Sequence, residues 1–386
     1  MKQMTTKDLI YPDFNHSIVN IAATMAQFMG QETTYATLPQ LTAQLQKNYQ
    51  NVVYLVVDGM GSRVMQKNLP AKSFLRQHQI DELTSVFPST TAAAVTSLIS
   101  ALTPAEHGWF AWSVDFDGDV IELFRNRNFY THELTPDRDF ANHKLPYRNL
   151  WDYHKTDRTI YTCFPRKITT KVHSPNEVEF GNLRQMFRQL DQICAGPEPK
   201  FVYSYYADYD STMHLYGVTA RQSRRMLKTI DRKIARLARR HPDTLFVITA
   251  DHGQTEIKGY TYICDDAAIQ ACLEHPLSLD PRGTCFKIKP DMHEQFRAAF
   301  QKYAADYTLF PSQELIEKGV FGDFTKHPNY QKYLGDYIAV GHDAAKMMMF
   351  KRNKKHLYRG AHTGMTADEM YVPLIVVAGE PTTKRK

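Results

Sequence analysis

Cysteine is scarce in this chain, with five in 386 residues. Cys163, Cys194, Cys264, Cys272 and Cys285 are odd in number, widely spaced and without a Cys-x-x-Cys pair, which argues against a disulfide framework and a zinc ribbon. Long apolar runs are missing too: no stretch reaches the ~20 residues that cross a bilayer as a helix. The first thirty residues are broken by Asp8, Asp13, Asn15 and His16 and do not read as a signal peptide. A cytoplasmic protein without a membrane partner is the expectation. Internal repeats and low-complexity tracts are absent, and only the terminal Thr-Thr-Lys-Arg-Lys looks loose. Net charge is small for the length, +6, and gives no more than a mild preference for anionic partners. What is present is ordinary globular composition: 43% hydrophobic and 23% charged residues, a mean hydropathy of -0.46, and a length that allows two or three domains and a substantial core.

Several short apolar runs punctuate the chain. Residues 51–57 carry Val-Val-Tyr-Leu-Val-Val, the pattern of a parallel strand buried on both faces, and end at Asp58-Gly59-Met60-Gly61. Residues 158–164, 201–207, 244–250 and 371–378 read as further strands; 201–207 ends in Asp208 and Asp210, and 244–250 delivers Asp251-His252-Gly253. Between them lie helical patterns. Residues 17–30 place Ile18, Ile21, Ala22, Met25, Phe28 and Met29 on one face, with Ser17 as cap and Gly30 as stop. Residues 218–241 put Met226, Ile230, Ile234 and Leu237 on one face and a run of Arg and Lys on the rest, the usual look of a solvated helix face; no nucleic-acid motif accompanies it. These patterns predict an α/β fold with a doubly wound, mostly parallel sheet flanked by helices. Residues 113–148 lack periodicity and read as an excursion over the sheet edge. Residues 263–350 change character to short strand, helix, strand, and are expected to form a small α+β cap inserted into a catalytic domain of residues 1–262 and 351–386.

The stretch 84–112 joins these features. Its start reads as a short strand to Phe87, Pro88 and Ser89 break it, and Val95, Leu98, Ile99 and Leu102 mark a helix that begins at Thr91. A hydroxyl then stands at a helix N-terminus, where free N–H groups and the dipole favour a phosphoryl group. Ala92, Ala93 and Ala94 would keep the first turn thin enough for a substrate to approach the backbone.

Asp58, Asp210 and Asp251 each follow an apolar strand, so such a sheet gathers them at its C-terminal edge, where open α/β sheets place their ligands. His214, His252 and His362 fall close behind these or equivalent positions. Carboxylates and imidazoles meeting at one edge suit one or two divalent cations of the Zn²⁺ or Mn²⁺ type, with a hydroxyl nucleophile nearby.

In this order, Val-Val-Asp-Gly-Met-Gly around Asp58, Phe-Pro-Ser-Thr-Thr followed by Leu-Thr-Pro-Ala-Glu-His-Gly, Asp210 with His214 and Gly217, Asp251-His252-Gly253, and His362 before Thr363-Gly364 resemble the metal motifs of the alkaline phosphatase superfamily. The spacing comes nearest to its type I phosphodiesterase/nucleotide pyrophosphatase branch. The resemblance implies that Asp210, His214 and His362 hold one metal and that Asp58, Asp251 and His252 hold the other. Thr91 would bind the second metal as the attacking alkoxide and pass through a phosphothreonine. Zinc is the metal it implies, with manganese as the alternative. Two departures concern the substrate. The family's Phe-Pro-Asn after the nucleophile is here Ala92, Ala93 and Ala94, and an asparagine that holds a phosphoryl oxygen in many members falls on Trp112, with Asn126 and Asn128 as candidate replacements.

The expected protein is a two-metal phosphoester hydrolase acting on a small phosphorylated substrate, a phosphodiester or nucleotide pyrophosphate. A phosphomonoesterase or phosphonate hydrolase on the same site is the enzyme alternative. A metal-stabilised polyanion-binding module is the alternative from another class; it has no use for the hydroxyl.

Overall fold

The computed structural model describes residues 9–166, 174, 176–342, 345–352 and 357–379. The Thr-Thr-Lys-Arg-Lys tail lies outside them. Two seven-stranded sheets organise the chain. The first runs in the order Gln79–Thr84, Tyr371–Ala378, Thr244–Thr249, Asn51–Val57, Lys200–Tyr206, Thr159–Pro165, Glu177–Phe180. Its members from Thr244–Thr249 to Glu177–Phe180 are parallel, and Tyr371–Ala378 runs antiparallel to both neighbours. Every residue of Asn51–Val57, Lys200–Tyr206 and Thr244–Thr249 is buried, as their unbroken apolar character requires of strands covered on both faces.

Register decides what meets at the edge. Val57 pairs with Tyr206 and Val56 with Thr249, so Asp58, Ala207 and Asp251 emerge at one level. Asp210 then sits in the first turn of the helix Asp208–Tyr216. The helices flanking this sheet follow their sequence patterns. Ile18–Phe28 starts at a Ser17 capping box and packs against Thr91–Ser100. The basic helix Arg221–Arg240 buries Leu227, Ile230, Ile234 and Leu237. Met226, expected on that face, is only partly buried.

The second sheet runs in the order Tyr307–Pro311, Tyr337–Gly341, Gly283–Phe286, Ser278–Asp280, Ser113–Phe116, Asp119–Glu122, Arg127–Asn128, and all its pairs are antiparallel. It is therefore built from two separate parts of the chain. Residues 113–148, read as an irregular excursion, supply three of its strands. Each is only two to four residues long, too short to show a period. The expected strand at 84–87 also differs: the strand Gln79–Thr84 ends where it was to begin.

The two halves are joined by a buried ion pair. Arg282, in the turn between two strands of the second sheet, donates Nε to Glu369 Oε1 at 2.6 Å and Nη2 to Oε2 at 2.9 Å, and both side chains are 0% exposed. Glu369 lies on the helix Ala367–Met370 that leads into Tyr371–Ala378 of the first sheet. No helix among the described residues is long and apolar enough to cross a membrane.

Candidate metal centre and cavity

The site residues come together at the C-terminal edge of the first sheet. Asp58 and Asp251 follow neighbouring strands directly. The backbones beneath them cross too closely for any side chain: a Cβ on Gly61 would stand 2.5 Å from Gly253 Cα, and one on Gly253 2.0 Å from the Asp368 carbonyl oxygen. His362 comes from the other side, after the short strand Gly360–Ala361. Thr363 behind it holds φ at 96°, an outlier for a β-branched residue, and is pinned by a bridge to Ser89.

The three histidines share one arrangement. Nδ1 lies against a backbone carbonyl in each: Gly360 at 2.7 Å for His214, Gly253 at 3.0 Å for His252 and Ser89 at 3.0 Å for His362. A carbonyl only accepts, so Nδ1 carries a proton in each, and the neutral ring then presents its Nε2 lone pair. Those lone pairs face carboxylates. His214 Nε2 is 3.2 Å from Asp210 Oδ2, and His362 Nε2 is 3.9 Å from Asp210 Oδ1. His252 Nε2 is 3.5 Å from Asp58 Oδ1 and 3.4 Å from Asp251 Oδ2. Both of those oxygens are buried without a hydrogen-bond partner.

Acceptors turned on acceptors in a dry site repel unless a cation stands among them. The donor set, imidazole nitrogen with carboxylate oxygen and each imidazole fixed through its far nitrogen, is what a divalent transition metal takes. The residues thus fit the expected group. Among the described residues, two clusters have ligand atoms mutually within 4.8 Å: Asp210, His214 and His362, and Asp58, Asp210 and His252. Asp210 takes part in both. Asp251 reaches the second through His252 and spends Oδ1 on the Gly59 and His252 N–H groups at 3.0 Å each.

Charge follows this crowding. Burial, with Asp251 and Asp210 beside it, holds the Asp58 carboxyl well above its ordinary range, against the pull of a hydrogen bond from the Tyr205 hydroxyl. Burial acts the same way on Asp210, but in the absence of a metal a protonated His214, with His362 and His252 beside it, outweighs it and holds that carboxyl low, and Asp210 in turn raises His214 against its burial. His362 is driven well below the ordinary imidazole value by burial and the neighbouring His252, whose ring stacks on it at 3.9 Å.

Thr91 is the first residue of the helix Thr91–Ser100, and its Oγ1 lies 3.3 Å from His252 Nε2. Thr90 is the N-cap residue and turns to Asp280 of the second sheet. Ala92, Ala93 and Ala94 are fully buried, so they face the interior and do not open a path for substrate. Trp112 lines the cavity, with the Arg125 guanidinium 5.0 Å over its ring. Asn126 and Asn128 do not reach it. Asn126 accepts from the Ala141 N–H, and Asn128 accepts from the Tyr130 and Thr131 N–H groups and donates to Asp119. Their amides shape the loop after the second sheet's edge.

A cavity of about 630 Å³ extends from Asp58, Thr91, Asp210, His214 and His362 to a wall from the second sheet. Sequence reasoning missed several members of this surface. Tyr205 was one of several tyrosines in a β-prone run, with nothing to mark the one whose hydroxyl reaches Asp58. Gln254 donates to Asp210, and Tyr358 packs on His214 with ring centroids 4.6 Å apart. Only proximity in the fold reveals these roles. His107, read as structural, bonds Ser97 and the Trp109 N–H in the interior.

Residues 52–365 match the family model described as type I phosphodiesterase / nucleotide pyrophosphatase. The chain belongs to this family. The family is metal-dependent and hydrolyses phosphoric ester bonds, so this member is an enzyme of that class. Among curated proteins no sequence matches it. Similar solved structures include murine ectonucleotide pyrophosphatase / phosphodiesterase 5, with 13% identity and a TM-score of 0.59 over 85% of this chain and 88% of that one. An inactive form of the murine protein was solved in complex with AMP. Phosphonoacetate hydrolase from Sinorhizobium meliloti 1021, in complex with phosphonoformate, has 14% identity and a TM-score of 0.59, with coverage of 87% and 92%. At these identities the likeness is one of fold.

Proposed function

We propose that this family member hydrolyses a small phosphodiester or nucleotide pyrophosphate with Thr91 as nucleophile and two divalent cations, zinc foremost and manganese the alternative. Asp210, His214 and His362 would hold one cation, and Asp58, Asp251 and His252 the other. The observation that carries the reading is the place of the Thr91 hydroxyl, at a helix start and 3.3 Å from the His252 Nε2 lone pair that Asp58 and Asp251 also face. When bound, the cations supply Lewis-acid stabilisation of charge on the Thr91 oxygen and on the phosphoryl oxygens.

The chain's own residues do the rest. The Thr91 N–H at the start of Thr91–Ser100 has no acceptor within the helix and, with the positive end of the helix dipole, favours the charge that develops on the phosphoryl oxygens. Thr91 loses its proton as Oγ bonds to phosphorus, and the scissile P–O bond breaks with its electron pair going to the leaving oxygen, which takes up a proton. Water then adds to phosphorus, the Oγ–P bond breaks and the hydroxyl is restored. Tyr205 holds Asp58, and the backbone carbonyls on the three Nδ1 atoms fix the imidazoles through both steps. Residues 263–350, with 113–128, act as the cap that selects substrate. The five free cysteines fit a reducing, cytoplasmic setting.

The test is metal analysis of the purified protein, then paired assays on a chromogenic phosphate diester and monoester. Thr91→Ala should keep fold and metal but lose turnover by about three orders of magnitude or more, while Thr90→Ala keeps most of it. Rapid acid quench and peptide mass spectrometry should find the phosphoryl group on Thr91. A protein that binds no transition metal on reconstitution, or is phosphorylated on Thr90, refutes the assignment.

A further inference from the structure

The cavity is far larger than one phosphoryl group; its ~630 Å³ falls in the range that encloses a whole small molecule. Its far wall has a charge of its own. Arg125, Arg127 and Lys351 line it beside Glu122, while the second sheet's other lining carboxylate, Asp280, accepts from the Trp112 N–H. Glu122 is committed to Arg127, which donates Nε at 2.7 Å and Nη2 at 3.2 Å, a two-point pairing. Arg125 shares that carboxylate only through Nη1 at 3.3 Å. A guanidinium has five N–H donors, so among the described residues most of those on Arg125 have no acceptor. Its side chain is 49% exposed, with the Trp112 ring beneath its guanidinium. Lys351 donates to the Phe129 carbonyl and lies over the Phe129 ring. Tyr358 packs on His214 and feels the charges of both Asp210 and Arg125, so it stands between the candidate metal centre and this wall.

We infer that the substrate carries a second anionic group, a carboxylate or phosphate remote from the bond that is cleaved, and that Arg125 receives it with Lys351 and Arg127 alongside. This rests on the hydrolase reading for the other end of the cavity. A guanidinium presents its donors in a plane that matches two oxygens of one oxyanion. The second sheet and Lys351 bring three cations to the cavity against two carboxylates, and Asp280 is turned to the Trp112 N–H and Thr90, so a second anion beside Arg125 brings the count toward balance. Aromatic Trp112 and Tyr358 would flank the connecting segment.

Calorimetry on the full, metal-loaded chain tests this without turnover, using ω-carboxyalkyl phosphonates of increasing chain length and the carboxyl methyl ester of each. The best-fitting acid should bind about 10- to 100-fold more tightly than its ester, the span of one charge-assisted hydrogen-bond pair. Arg125→Met keeps an unbranched side chain against Trp112, leaves Glu122 paired with Arg127, and should cut that advantage to less than about threefold with the ester's affinity unchanged. Lys351→Met should reduce it in part. Acids of every length binding no better than esters, or an advantage that survives Arg125→Met, overturns the inference. If the same protein still cleaves the chromogenic diester, the hydrolase reading stands alone; a metal-loaded protein that cleaves no phosphate ester sinks both.

Discussion

Replacing Glu369 by Gln should unfasten the second sheet from the first. The Glu369 carboxylate receives Arg282 Nε and the Gly364 N–H on Oε1, and Arg282 Nη2, the Thr366 N–H and the Thr366 hydroxyl on Oε2. An amide removes the charge and turns an NH₂ group toward one of those sets of donors. Arg282, which also donates to the carbonyls of Gly341, His342 and Lys346, would stay buried with the Glu369 charge gone. Breaking a buried pair from one side costs about 3–5 kcal/mol, a large share of the ~5–15 kcal/mol that holds a domain together. The effect should reach the site as well. Gly364, held by Glu369, accepts from Ser89 Oγ at 2.7 Å, and the Ser89 carbonyl accepts from His362 Nδ1. Urea unfolding followed by tryptophan fluorescence reads the stability loss, since Trp109 lies in the core of the second sheet. Metal titration reads the change at His362. The double variant Arg282→Met/Glu369→Leu should recover about 2 kcal/mol relative to the sum of the single losses, because no charge is then stranded. A Glu369→Gln loss below about 1 kcal/mol, or additivity within about 0.5 kcal/mol in the cycle, would show that the pair does not fasten the halves.

His107 should make the fold acid-sensitive. Burial drives its pKa down to about 3, so between ~6.5 and that value the unfolded chain takes a proton that the native state refuses. Stability from this group is therefore flat above pH ~6.5 and falls as pH drops through the window, by roughly 5 kcal/mol in all. His107→Asn keeps an acceptor for the Trp109 N–H, and its urea midpoints from pH 7 to 4 should decline less steeply than those of the parent; parallel curves refute the argument. Gly253→Ala should cost about 3 kcal/mol or more, because a methyl 2.0 Å from the Asp368 carbonyl oxygen forces Asp251 and His252 out of line. Thermal unfolding and metal titration check it, and a variant matching the parent in both would contradict the close crossing.

Much of this protein can be read from its sequence because of a local rule. A strand covered on both faces must be apolar throughout, so the runs at 51–57, 201–207 and 244–250 announced themselves, and with them the carboxylates that follow each one. The helix starting at Thr91 was likewise set by its own period and by the break at Pro88 and Ser89. Other features are properties of the packed chain. Ala92 to Ala94 look like an open first turn until the core closes on them. Asn126 and Asn128 have the right chemistry for a phosphoryl oxygen, but neighbouring backbone N–H groups claim them. The second sheet joins strands as far apart as Ser113 and Leu279 through a single register pair, and strands of two to four residues carry no period from which to foresee it. The sequence by itself determined which residues could ligate a metal, because burial and periodicity act over a few residues. Tertiary structure alone decided that the three imidazoles and the three carboxylates share one site, and that Arg125 faces the same cavity, because those positions depend on contacts between distant segments, such as the carbonyls of Gly360 and Ser89 that hold His214 and His362 from 146 and 273 residues away.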